Sequence, residues 1–482
     1  VSEPVNRRFD VYLLGWLLLL ASGFLLVPLV AALIFGEALG VWVASISLAA
    51  LAGFTLVEVC RPDDRTLRPR DGFLVVGGAW VLVSLLGALP YLLSGVLGPV
   101  DAVFESVSGF TTTGSTVIAD TTVVPRALLL WRAMSQWLGG MGIILFTIAI
   151  LPLLGIGGMQ LFKAEVPGPV ADKVRPRLAA TARSLWGIYV GLTGLEWVAL
   201  RLAGVGGYEA LCHSFTTLAT GGFSTRNTSV GELGLPAVEW IVTFFMLMAG
   251  INFVLHYRLL TGRGREVWRD PELRYFLLVV ATATAILVVT VHPDGGDLLD
   301  TLRVAAFQTV SILTTTGYCT VNFELWAQLP LLVLLVLMVL GGMSGSTGGG
   351  IKSLRAWLAL RSLRATLDRL IHPHAVRPVK YGGVVVDDTV LAGVWAFLTA
   401  YMVIAALAVG VVSAWGYDLL TSISAALTAI GNVGPGLGEI GAWDNFAHFP
   451  AVPKLVLATC MLFGRLEIFT LLVMCSREFW RR

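Results

Sequence analysis

A chain of 482 residues that is 56% hydrophobic and only 13% charged, with a mean hydropathy of +0.81, falls outside the soluble class, which carries about 25% charged residues. Its net charge of +2 offers no nucleic-acid footprint, so the placement of charge matters more than its sum. Five cysteines, Cys60, Cys212, Cys319, Cys460 and Cys475, have no CxxC spacing and lie in or beside apolar segments, which reads as small hydrophobes rather than metal ligands or a disulfide framework.

The N-terminal "VSEPVNRRFD" runs into "VYLLGWLLLLASGFLLVPLVAALIF". That run is too long for a signal-peptide core and has no obvious cleavage site, so it reads as a retained membrane helix. Apolar segments then recur at 38–58, 72–96, 127–155, 184–205, 237–257, 273–291, 329–351, 382–413 and 451–475. With 11–34 they make ten candidate spans, each near or above the roughly 20 residues that cross a bilayer.

Connections between the spans alternate in charge. Arg7 and Arg8, 61–70, 163–183 with Lys163 and Lys173, 258–274, 352–380 and the tail Arg477, Arg481 and Arg482 are basic. The positive-inside rule puts these and both termini in the cytoplasm. The opposite connections carry Asp101, Glu105, Asp120, Glu209, Glu232, Asp294, Asp297, Asp300, Glu324, Asp418, Glu439 and Asp444. An acidic face concentrates cations and repels anions.

A repeat emerges on that acidic side. "DAVFESVSGFTTTGSTV" (101–117) has partners in "YEALCHSFTTLATGGFST" (208–225), "DTLRVAAFQTVSILTTTGYCT" (300–320) and "YDLLTSISAALTAIGNVG" (417–434). Each starts near a carboxylate, continues as a short helix and ends at a glycine: Gly114, Gly221, Gly317 and Gly431. Helices too short to cross, followed by irregular backbone, are tolerated in a membrane only around protein or water. The expected fold is therefore an all-α polytopic membrane protein, with four pseudo-symmetric repeats of span, pore helix and span around one pore. The boundaries are 69–162, 176–262, 270–370 and 380–482, after an extra helix pair in 1–68.

The candidate ion filter comprises Thr112, Thr113 and Gly114; Ala219, Thr220 and Gly221; Thr315, Thr316 and Gly317; and Ala429, Ile430, Gly431 and Asn432. Glycine permits backbone angles that turn carbonyls inward. The carbonyls of Thr113, Thr220, Thr316 and Ile430 would replace the water around a monovalent cation. Asp101, Glu209 and Asp418 stand where they can cap their pore helices or suit the positive end. Asp300 lies farther upstream, so its helix is longer or the carboxylate has another part. Repeat four lacks the threonine before its glycine.

One span breaks into "GGMSGSTGGG" at 341–350, with glycines at Gly341, Gly342, Gly345, Gly348, Gly349 and Gly350, interleaved with Ser344, Ser346 and Thr347. Glycines each give up roughly 1 kcal/mol of helix propensity relative to alanine, so this segment opens into a loop placed to obstruct the path. It is no phosphate loop, since Lys352 follows Ile351 without the GKS/GKT arrangement. Arg465 in "CMLFGRLEIFT" is a charge inside a span, which marks function by default. It is expected against the glycine-rich loop, either repelling cations or holding its span. Glu467 is too close in sequence to be its partner, and Lys454 has two open roles, pairing with an outer carboxylate or excluding ions. "HPH" at 372–374 reads as solvent-exposed. No HExxH, no His/Cys cluster and no hydrolase arrangement appears, so neither an enzyme nor a bound cofactor is expected.

With "SGFTTTGSTV", "HSFTTLATGGFSTRN", "QTVSILTTTGYCT", "TAIGNVGPGLG" and "GGMSGSTGGGIK", the chain resembles the TrkH/KtrB family of potassium transporters from about residue 5 to its end. The resemblance implies that Gly114, Gly221, Gly317 and Gly431 are filter glycines, 341–350 the gating loop and Arg465 the gate-side arginine. It implies a homodimer with one pore per protomer, and a cytosolic TrkA-like ring that binds a nucleotide and docks on the basic face. Serine at the first glycine accompanies sodium permeation in plant and fungal relatives; four glycines look potassium-preferring. The expected activity is channel-like potassium uptake. A symporter coupling K⁺ to H⁺ or Na⁺ on the same fold is the alternative, although such proteins commonly carry inverted repeats.

Overall fold

The protein, seen in a computed structural model, is described over residues 6–63, 69–149, 174–292, 296–373 and 377–480. Arg65, Arg68, Lys163, Lys173, Asp294, His374, Arg481 and Arg482, and residues 150–162 of the first repeat, lie outside the described residues.

The chain is an all-α polytopic membrane protein, as expected. Among the described residues the sole sheet is the two-residue pairing of Lys380–Tyr381 with Val384–Val385. A leading hairpin comprises Arg7–Phe24, which continues as Leu26–Phe35, and Gly40–Val59. Gly15 and Gly53 let its two helices approach closely, because a Cβ on either would sit 2.9 Å from the other's carbonyl oxygen.

Four units follow. The first has Pro69–Leu93, the short helix Pro99–Phe110 and Arg126–Ala149; the second has Val174–Leu202, Gly207–Leu218 and Pro236–Gly250 with Phe253–Leu260. The third has Pro271–Val291, Leu298–Leu313 and Gln328–Leu340; the fourth has Asp388–Ala414, Leu419–Gly431 and Ala451–Arg465 with Phe469–Cys475. Starts follow local chemistry. Asp270, Asp297, Asp387 and Asp418 accept backbone N–H bonds at their caps, and Pro99, Pro236 and Pro271 occupy first turns where no N–H partner is needed.

Five described helices are individually long and apolar enough to cross a bilayer, and seven spans result when each bent pair counts as one. The other three expected spans are also helical, Arg126–Ala149, Val174–Leu202 and Gln328–Leu340, the last cut short at Gly341. Leu33, Ile34, Leu51, Leu278, Val289, Met402 and Leu407 are exposed, an apolar exterior suited to lipid tails.

The glycine-rich run at 341–350 predicts a polar break in the third unit. Among the described residues second spans break in three units, and the breaks meet one another. The second unit bends by 99° at Ile251 and Asn252, and the fourth by 115° at Leu466 to Ile468. Met343 N–H bonds to Gly250 O at 2.9 Å, Phe253 N–H bonds to Gly345 O at 3.1 Å, and Arg355 pairs with Glu467. Backbone groups freed by the second and third breaks thus satisfy one another, while at the fourth Glu467 N–H and Ile468 N–H bond locally to Gly464 O and Phe463 O, as hydrocarbon surroundings require.

Candidate functional site

Each short helix ends in the same way. Thr112, Thr220, Thr315 and Asn432 adopt left-handed backbone with φ of 53°, 52°, 61° and 55°, and two residues later Gly114, Gly222, Gly317 and Gly434 do so with φ of 86°, 74°, 80° and 111°. A left-handed β-branched residue is strained by about 1–3 kcal/mol, so three such threonines require surroundings that fix the turn. Asparagine takes the same angles more easily.

The four glycines form a ring. A Cβ on Gly114 would collide with the carbonyl oxygen of Gly221, on Gly222 with that of Thr316, on Gly317 with that of Val433, and on Gly434 it would lie 2.8 Å from that of Thr113. Each glycine thus faces a carbonyl of the next loop, and the fourth loop returns to the first. All four line one open mouth of about 100 Å³, with Asn227, Asp444 and Asn445 on its walls.

This shifts the register of two loops. Gly221 corresponds to Thr113 and Thr316 rather than to Gly114, and the ring position belongs to Gly222. In the fourth loop Ala429, Ile430 and Gly431 still belong to the helix, Asn432 corresponds to Thr112, and the ring position belongs to Gly434. The ring carbonyls are those of Thr113, Gly221, Thr316 and Val433, so Thr220 and Ile430 are not at that level. The motif comparison took the first glycine of each "TTTG", "ATGG", "TTTG" and "AIGN" stretch, whereas the ring demands the glycine two residues beyond the left-handed turn. "GG" and "GNVG" each offered two choices.

Below the ring, 341–350 crosses the ends of the short helices. Thr347 Oγ1 donates to Leu218 O at 3.0 Å, Gly349 N–H to Thr315 Oγ1 at 2.6 Å and Gly350 N–H to Gly431 O at 2.9 Å. Gly341 and Gly350 pass so closely that neither tolerates a side chain. Arg465 lies against this loop, as expected: Nη1 donates to Thr347 O at 2.7 Å and Nη2 to Gly139 O at 2.9 Å. Lys352 Nζ donates to Gly348 O. Glu272 accepts N–H bonds from Ser344 at 2.6 Å and Leu354 at 3.1 Å, fastening both ends of the loop. Gly342, Gly345, Gly348 and Ser346 complete the turn, with Ser346 Oγ bonded to Met343 O at 2.6 Å.

Other charges depart from the sequence reading. Glu105, counted with the outer carboxylates, is fully buried; it pairs with Arg132 at 2.6 Å and accepts Val117 N–H at 2.8 Å. Asp101 and Glu209 sit in first turns, where they suit the positive helix ends, while Gly98 and Gly206 occupy the caps. Asp101 also pairs with Lys454 at 2.6 Å, and Glu209 pairs with Arg226 at 2.5 Å. Asp418 is the cap its position suggested, while in the third unit Asp297 caps a longer helix and Asp300 pairs with Arg303 at 2.5 Å. Outside the spans, hydrogen bonds from the Asn227 amide and Thr122 hold Asp120 below the usual carboxylate range. Burial, followed by repulsion from Asp444, raises Glu324 to about 7.

Arg132, Gln136, Glu272 and Lys352 were missed. The signal was present, since a charge or carboxamide within an apolar run is the test that singled out Arg465. Applied to "LLLWRAMSQWLGG", it finds both Arg132 and Gln136.

The chain matches the family model TrkH, described as a cation transport protein, over residues 40–481. It is 42% identical over 484 residues to the Trk system potassium uptake protein TrkH of Salmonella typhimurium, covering 99% of this chain and 100% of that one. It is 36% identical to the Trk system potassium uptake protein TrkG of Escherichia coli, over 98% of this chain and 99% of that one. Among solved structures it is similar to the potassium transporter TrkH from Vibrio parahaemolyticus, with a TM-score of 0.90, 38% identity and coverage of 98% and 99%.

Proposed function

The chain belongs to the TrkH family of cation transport proteins, and from that premise we propose that it takes up potassium through a channel-like, cation-selective pore. One observation carries the reading: a glycine from each of four repeats at one mouth, each against a carbonyl of the next loop. Four convergent carbonyls stand in for the hydration shell of a monovalent cation, and a neutral lining releases it again. The acidic mouth faces outward and the basic connections and both termini face the cytoplasm of a bacterial inner membrane. The membrane potential then supplies about 2.3 kcal/mol per 100 mV for each charge entering.

In this reading 341–350 is the gate and Arg465 its latch, adding positive charge beneath the filter. The pore units are 69–162, 176–262, 270–370 and 380–482, preceded by the helix pair in 1–68. The protein works as a homodimer with one pore per protomer. A TrkA-like ring that binds a nucleotide docks on the basic face and moves the loop through it.

The test is ion flux from the purified chain in liposomes, with K⁺, Rb⁺, Na⁺ and Li⁺ compared at fixed voltage, followed by single-channel recording. Unitary currents favouring K⁺ and Rb⁺ are expected. A reversal potential that tracks a proton or sodium gradient overturns the channel mechanism in favour of coupled transport.

A further inference from the structure

The four loops of the ring are not packed alike. In the first and third, the residue before the ring glycine is a threonine whose hydroxyl meets that of the helix-capping threonine, at 2.8 Å for Thr113 with Thr111 and 2.8 Å for Thr316 with Thr314. In the fourth, Val433 fills the position and is buried among side chains of the third unit. The second loop has Gly221 there and Ala219 at the helix cap, so neither of these two positions carries a hydroxyl.

A side chain from another repeat occupies that space. Gln136, on Arg126–Ala149 of the first unit, is fully buried, and a Cβ on Gly221 would collide with its carboxamide. Its Nε2 donates to Gly221 O at 2.7 Å and its Oε1 accepts Phe223 N–H at 3.1 Å. A carbonyl can only accept and a backbone N–H can only donate, so the orientation of the amide is fixed by its partners. Gly221 is not among the residues with positive φ. The backbone therefore admits a side chain, and the nearest obstacle to one is the carboxamide. One turn away on the same helix face, Arg132 donates to Ser224 O at 2.8 Å and stacks 3.6 Å from the centre of the Phe223 ring. One stripe of the first unit thus holds the backbone of the second loop from 221 to 224.

We propose that Gln136 is a positioning residue for cation discrimination, standing in for the side chain that Gly221 lacks and fixing the direction of the Gly221 carbonyl. This rests on the reading of the ring as the ion filter. Selectivity depends on the number and placement of ligating carbonyls, so a loop whose carbonyl is free to turn accepts a smaller ion more readily. Gln136 touches no ion and acts through Gly221.

The experiment measures K⁺ to Na⁺ permeability ratios of the full-length protein in planar bilayers for wild type, Gln136→Met, Gln136→Ala, Gly221→Thr and the double variant Gln136→Ala with Gly221→Thr. Thermal melts in detergent run in parallel. The isosteric methionine keeps volume and removes both bonds, so it reports on positioning even where the alanine variant folds poorly. The expected result is a ratio lowered about fivefold to tenfold in Gln136→Met, the scale of the one bond that directs the Gly221 carbonyl. Gly221→Thr alone should show a similar loss, with recovery in the double variant, whose second loop regains the threonine of the first and third. A selective wild type with an unchanged ratio in Gln136→Met overturns the role of Gln136 and leaves the filter intact. So does a double variant no better than Gly221→Thr alone. A wild type that does not distinguish K⁺ from Na⁺ overturns the filter itself.

Discussion

Arg465 and Thr347, 118 residues apart in sequence, are joined by a buried hydrogen bond of 2.7 Å from a guanidinium nitrogen to a main-chain carbonyl. The second arm of the same guanidinium reaches Gly139 O at 2.9 Å, so one side chain ties the glycine-rich loop to the first and fourth units. A charged group is the stronger kind of donor here, and arginine's rigid fork spans two separate carbonyls that lysine's compact ammonium matches less well.

Replacing Arg465 with Gln should therefore loosen the loop and raise basal Rb⁺ uptake into liposomes, with Lys intermediate. Shortening 341–350 should raise it further. Uptake equal to wild type in both would remove the latch and the gate together.

The register of the ring makes a sharper prediction. Gly114→Ser, Gly222→Ser, Gly317→Ser and Gly434→Ser each drive a side chain toward a carbonyl of the next loop, so each should lower the K⁺ to Na⁺ permeability ratio. Gly431→Ala instead places its Cβ 2.8 Å from Met338 O, away from the ring. It should lower the melting temperature while leaving the ratio of the folded protein near wild type. A Gly431 variant with lost selectivity and a Gly222 variant without it would restore the register read from sequence.

That contrast marks how far the sequence was legible. The spans, the four short helices and the loop at 341–350 follow from apolar period, glycine clustering and charge alternation, each a local property. Fourfold register does not, because it depends on which of two neighbouring glycines meets a carbonyl supplied from another repeat about a hundred residues away. Glu105 was misread for a related reason: a carboxylate near an outer connection reads as solvated until its arginine, 27 residues on, is brought beside it. Lys454 could not be assigned from sequence because Asp101 lies 353 residues before it.

The Glu105 pair yields a stability prediction. With relative side-chain exposures of 0% for Glu105 and 5% for Arg132, truncating one partner leaves a charge buried and unpaired, which costs about 3–5 kcal/mol. Glu105→Ala should show a large drop in melting temperature. Glu105→Gln keeps an acceptor for Val117 N–H and should fall between the two. A melt for Glu105→Ala within a degree of wild type would mean that water reaches Arg132.

The mouth carries a pH dependence with a definite sign. Glu324 lies against Gly441, and both Gly441 and Asp444 line the opening. Burial and then Asp444 raise the Glu324 carboxyl to about 7, so the pair takes up one proton as pH falls through that value. The mouth is more negative above it and less negative below. Lowering the outer pH from about 8 to about 6 should reduce K⁺ conductance at low ionic strength, where surface charge concentrates cations, and much less near 1 M salt, where the Debye length is about 3 Å. Glu324→Gln should flatten the curve. Asp444→Asn removes the repulsion but not the burial, so its midpoint should move to lower pH. Conductance that rises on acidification, or a Glu324→Gln curve that overlays wild type, would assign the titration to other groups at the mouth.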